Sequence, residues 1–260
     1  MIGFLLRKTF YDLWDNIFRI VFINLGFIAL AAFFFFLTAS ASRFFDFFAL
    51  EAALSVFGIL VCSIYLAAAA ISVRSISDYG SFGFVDFLKN FKAAWPAGLT
   101  MGFVVLFLFL GAFVIIQFYL GINSLFGLAL AAIVFWLTIF ALLAFQFYFS
   151  AYSRLGSKII KSFKKCAIIS MDNSGFSVFL FLHNAVVLIF SFVLVLLFPG
   201  PAGVLLYIDE ALRLRLLKYD WLEANPEADR RKIPWDVLLM EEREKTGTRS
   251  FKDFIFPWKD

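Results

Sequence analysis

The sequence predicts an all-α polytopic membrane helix bundle, and three observations predict it. From Ala93 to Ser153, sixty-one residues pass without one Asp, Glu, Lys or Arg. Hydrophobic residues make up 63% of the chain and charged residues 16%, against roughly 45–50% and 25% in soluble domains. Five segments have the length and apolarity of a bilayer crossing, for which about 20 residues suffice.

Met1–Phe18 comes first. Ile2, Leu5, Leu6, Phe10, Leu13, Trp14 and Ile17 recur at helical spacing with Arg7, Lys8, Asp12 and Asp15 between them. That pattern predicts an interfacial amphipathic helix. The first crossing is Ile20–Ala41. Its length exceeds a signal-peptide apolar core of about 7–15 residues, so the segment reads as a retained span. The second crossing is Leu54–Val73. The charge-free run supplies the third and fourth, Pro96–Leu120 and Ser124–Phe149, with the turn at Leu120-Gly121-Ile122-Asn123. The fifth is Phe176–Phe198. Pro199-Gly200-Pro201 and only seven apolar residues, Ala202–Ile208, then precede Asp209, Glu210, Arg213 and Arg215. A short sixth helix or a re-entrant element fits this text, because irregular backbone at membrane depth must be covered by protein or water. The short sixth helix is the favoured reading. Residues 1–222 then form the bundle with its interfacial helix, and residues 223–260 a tail.

Lys and Arg set the orientation. The leader carries Arg7, Lys8 and Arg19, the second loop Arg74, Lys89 and Lys92, and the fourth Arg154, Lys158, Lys161, Lys164 and Lys165. The first loop has only Arg43 and the third has none. Both termini are therefore expected in the cytoplasm, with the third-loop turn outside.

Few residues invite chemistry. One His and two well-separated cysteines, Cys62 and Cys166, give no zinc spacing, no disulfide framework and no triad. No cofactor and no enzymatic activity are expected. His183 and Asn184 lie within the fifth span, where a polar residue is either a functional group or interhelical glue. Asn24, Gln117 and Gln146 read as glue. Asp209, Glu210 and Arg213 are candidates for a polar plug or an ion-pair gate facing His183 and the second loop. The alternative is a helix leaving the membrane with Asp209–Arg213 and Glu210–Arg213 neutralised along its own surface. Gly98 and Gly102 form a GxxxG pair, and Ala67–Ala70 with Ser63 and Ser72 offer a small facing surface. Lys158, Lys161, Lys164 and Lys165 suit contact with anionic lipid; nucleic acid is not an expected partner. Phe254, Phe256 and Trp258 end the chain as a candidate contact with lipid, with the bundle or with a partner.

Trp14-Asp15-Asn16-Ile17-Phe18-Arg19 followed by Val21–Leu25 resembles the entry to the first span in the YesL-like family of bacterial membrane proteins. Asp86–Lys92 with Trp95 and Gly98, the basic fourth loop, and the Phe198-Pro199 break also resemble that family, in the same order over about residues 10–222. The charges at Asp209–Arg215 and the tail from Asn225 depart from it. The resemblance implies the bacterial inner membrane and an accessory or assembly role beside a carbohydrate transporter. The alternative function is an autonomous carrier or channel for a small solute, which requires a polar path through the spans.

Overall fold

The fold is seen in a computed structural model that describes residues 1–44, 47–156, 158–230 and 232–247. These residues form eleven helices and no strand. They are α1 (Ile2–Asp15), α2 (Ile17–Phe44), α3 (Phe48–Ser77), α4 (Phe84–Gly121), α5 (Leu125–Phe145), α6 (Tyr148–Arg154), α7 (Ile159–Asp172), α8 (Ser174–Val193), α9 (Gly200–Ala224), α10 (Trp235–Leu238) and α11 (Met240–Thr246). Five described helical segments are long and apolar enough to cross a membrane: α2, α3, α4, α5 with α6, and α8. They overlap the five expected spans, with the third starting earlier, at Phe84, and the fifth ending at Val193 instead of Phe198.

α3 and α9 hold the centre. α3 buries Ala67–Ala70, Ser72 and Val73, residues small enough for neighbouring backbones to come close. Gly98 of α4 sits so near α3 that a Cβ there would lie 2.4 Å from the Ile64 Cα, and one on Gly102 would lie 2.9 Å from Leu60. The GxxxG pair therefore works within the monomer, against α3. Asn90 Nδ2 donates to Ser72 Oγ at 2.8 Å and extends the same antiparallel register. On the other side of α3, Gly58 makes room for Phe34 of α2.

That register fixes relative heights along the bundle. Carried outward, it puts Val114 of α4 level with Phe48, the first residue of α3. Ile115–Gly121 then extend α4 beyond the ends of α2 and α3 by about 10 Å at 1.5 Å per residue. α5 returns beside it after a turn in which Ser124 Oγ accepts the Gly127 N–H at 3.1 Å. The tip is apolar and open: Phe118 is 67% exposed, Leu125 87% and Phe126 70%.

The Pro-Gly-Pro break leads into the expected sixth helix, which is longer than its apolar text. α9 is continuous for 25 residues and is buried on nearly every side from Gly200 to Leu214. Asp209 and Glu210 do not interrupt it. Gly200 has φ +59°, and a Cβ there would meet the Asn24 side chain at 2.4 Å, so the entry to α9 requires glycine. Asn24 of α2 holds this entry. Its Nδ2 donates to the carbonyls of Leu197 at 3.0 Å and Pro199 at 2.8 Å, while its Oδ1 accepts the Ala202 N–H at 2.9 Å.

Candidate functional site

The densest polar feature is a cluster of ion pairs at the end of the bundle opposite the α4–α5 turn. α9 brings Asp209 and Glu210 there, both almost fully buried. α1 brings Lys8, Thr9 and Asp12; the end of α3 brings Ser77, Asp78 and Tyr79; α6 brings Arg154; α11 brings Glu242 and Thr246. Lys8 projects from the buried face of α1 beside Leu5 and Thr9. Its Nζ lies 3.2 Å from Glu210 Oε1, 2.6 Å from Asp12 Oδ2 and 3.1 Å from the Ser77 carbonyl oxygen. Thr9 Oγ1 donates to Glu210 Oε2 at 2.6 Å.

Arg154 holds Asp209 with two hydrogen bonds, one of 3.0 Å from Nε to Oδ1 and one from Nη2 to Oδ2. Its remaining donors reach Asp78 at 3.0 Å and Ser77 Oγ at 2.9 Å. Arg213 bonds Glu242 Oε1 at 2.6 Å and the Ser77 carbonyl. Tyr79 donates to Glu242 Oε2 at 2.8 Å. Its ring lies 4.5 Å from the Lys8 ammonium and 5.0 Å from the Arg213 guanidinium, a cation–π arrangement. Burial, supported by neighbouring Glu242, pushes the Tyr79 hydroxyl upward from its ordinary pKa, so it stays a neutral donor.

This corrects one expectation. Asp209 and Glu210 do not neutralise Arg213 along their own helix; Asp209 pairs with α6, Glu210 with α1 and Arg213 with α11. The reason is burial. A carboxylate with no access to water needs charged donors that converge on it, and on α9 these come from neighbouring helices. Asp78 and Tyr79, at the start of the second loop, join the cluster, but His183 does not. His183 packs edge-on against Tyr207 with ring centroids 4.5 Å apart, and its Nδ1 has no partner. Asn184 is buried beside it with both side-chain ends unpaired.

The remaining expected residues are dispersed. Gln146 Nε2 donates to Leu143 O and Ser177 O, tying α5 to α8. Arg215 lies 3.9 Å over the Phe176 ring and 5.8 Å from that of Trp235. Lys158, Lys161 and Lys164 are exposed along the start of α7, and Lys165 is half-buried. Phe254, Phe256 and Trp258 lie outside the described residues. Sequence reading missed Lys8, Thr9, Asp78, Tyr79, Arg154 and Glu242. The one signal available was Lys8, a charge on the same helical face as Leu5.

Five carboxylates (Asp12, Asp78, Asp209, Glu210, Glu242) face four cations (Lys8, Arg74, Arg154, Arg213) in this cluster. It joins elements from both termini to the bundle, and its donors and acceptors are mutually engaged. Among the described residues no group of three or more His, Cys, Asp or Glu side chains is placed to hold a metal ion. Comparison with family models, with curated proteins and with solved structures finds no match.

Proposed function

We propose that this chain is a non-catalytic accessory or assembly subunit of a membrane transporter, and that it docks through the tip of the α4–α5 hairpin. The observation that carries the proposal is the reach of that hairpin. Arg74 and Glu51 bracket α3, separated by about 34 Å of helix, close to the roughly 30 Å hydrocarbon core. The charge-free part of α4 from Ala93 to Gly121 is longer, about 43 Å. Fitting it inside the core requires a tilt of about 46°, beyond the usual 0–40° range. With α3 upright, the tip carries Phe118, Leu125 and Phe126 beyond the core, where an apolar protein surface would cover them.

The Lys and Arg distribution supports an orientation with the ion-pair cluster on the cytoplasmic side and the tip outside. The YesL-like resemblance supports the bacterial inner membrane and a carbohydrate transporter as the partner class. A solute carrier is the second reading; the unpaired polar ends of Asn184 and His183 beside α9 favour it.

A photo-crosslinking amino acid at Phe118 or Leu125, in cells, tests the proposal. The expected product joins this chain to a transporter subunit, and the same probe at Leu137, lower on α5, gives lipid adducts. Lipid adducts alone at all three positions would overturn it. Leu125→Asp should abolish the crosslinked complex while leaving the isolated protein's melting temperature unchanged.

A further inference from the structure

Between α2 and α4, over α3, lies an apolar cleft of about 720 Å³. Its floor is one face of α3: Ser55, Gly58, Cys62 and Ser63, closed at the deep end by Leu66 and Phe149. The helical spacing of these residues makes it a straight trough. Its walls are the Phe-rich face of α2 and the Met101–Val105 stretch of α4. We infer that this cleft is a binding site for the hydrocarbon tail of a bilayer phospholipid, entering past Ser42 and Ser55 with its tip against Phe149.

Lining and depth point to the occupant. From Ser55 to Leu66 the floor runs about 16 Å, and apart from Ser63 its interior lining is apolar. A straight apolar trough of that kind suits an unbranched hydrocarbon chain lying along α3. Position agrees, because the floor lies between Glu51 and Arg74 on α3, at the depth of the hydrocarbon core. The polar groups gather at the mouth. Thr38, Ser42 and Ser55 line it, with Arg43 adjoining Ser42 and Glu51 one turn from Ser55. A guanidinium and a carboxylate together match the phosphate and ammonium of a zwitterionic headgroup.

The test uses the full-length protein in vesicles doped with phosphatidylethanolamine that carries a diazirine at the end of one acyl chain. Adducts are mapped by peptide mass spectrometry. They are expected to concentrate several-fold at Leu66, Met101 and Phe149 over the lipid-facing Phe107 and Leu137. Cys62→Trp, which fills the floor, should remove the former and spare the latter. A uniform distribution, or deep-end adducts unchanged by Cys62→Trp, overturns the inference. A measurement on the unaltered protein guards against misfolding of that variant. Cys62 should react with a maleimide in delipidated protein and be protected by added phosphatidylethanolamine, with buried Cys166 as the internal reference. Absence of protection, or a protein crosslink at Cys62 in place of lipid, also overturns it.

Discussion

Replacing Lys8 with Met isolates the contact that fastens α1 to the centre of the bundle. The Lys8 ammonium bridges Glu210 and Asp12 and also bonds the Ser77 carbonyl. Lys8 is 2% exposed and Glu210 1%. Without the lysine, Glu210 keeps only the Thr9 hydroxyl and faces Asp12 across the gap. Stranding one partner of a buried ion pair costs about 3–5 kcal/mol. Asp12 retains some access to water, which places the expected loss in the lower half of that range. Glu210→Gln should cost less, about 1–2 kcal/mol, because the amide still accepts from Lys8 and Lys8 keeps Asp12. The double variant removes the buried Glu210 charge as well and leaves only the part-exposed Asp12 without its lysine, so it should recover about 1.5–3 kcal/mol relative to the sum of the singles. Thermal unfolding in detergent measures all three, and trypsin cleavage at Arg7 reports release of α1. Additive losses, or a Lys8→Met variant within about 0.5 kcal/mol of the native chain, would refute the assignment.

Asn24→Ala removes three hydrogen bonds at the entry to α9; the Pro199 carbonyl keeps the Gly203 N–H, so the Leu197 carbonyl and the Ala202 N–H are stranded at about 1–3 kcal/mol each, an expected loss of about 2–6 kcal/mol in the same assay. Gly98→Val should cost about 1–3 kcal/mol or more, because the new side chain meets the α3 backbone. Gly111→Ala, with open space around it, should be neutral or stabilising by up to about 1 kcal/mol. Burial alone would raise the Asp172 carboxyl, but the Lys218 ammonium and Tyr219 hydroxyl outweigh it and hold it below its ordinary pKa. Its stabilising effect is present above the unfolded value near pH 3.9 and lost as pH falls through the lower folded value. Asp172→Asn should therefore be less stable than the native chain at pH 6, with the gap closing below about pH 4.

The five spans were legible because lipid-facing helices must be apolar, and runs without charge report that directly. The same rule hides the length of α9. Hydropathy measures contact with lipid, and α9 touches mostly protein, so this enclosed helix carries less apolar text than any of the five spans. The ion-pair cluster was half legible. Asp209, Glu210 and Arg213 stood out as charges after a short apolar run, but helical spacing knows only partners on the same helix. Lys8 and Glu210 are 202 positions apart, and no local pattern joins them. The reach of the hairpin was hidden for a related reason: its length is written in the sequence, but its height above α2 and α3 depends on where Gly98 and Gly102 seat against α3.

The cluster's connections bear on the gate reading of Asp209 and Glu210. Moving α9 one turn along its axis, about 5.4 Å, would separate Asp209 from Arg154 and Glu210 from Lys8 together. At about 3–5 kcal/mol for each broken pair, the shifted state would lie roughly 6–10 kcal/mol above the observed one. A switch whose minor state is populated at 0.1–10% requires a gap of only a few kcal/mol. The cluster is thus an anchor that fixes α1, α6 and α11 around α9. Motion coupled to the proposed partner belongs at the other end of the molecule, where Ile115–Gly121 of α4 and the start of α5 extend beyond α2 and α3 and carry no charge that could form an ion pair.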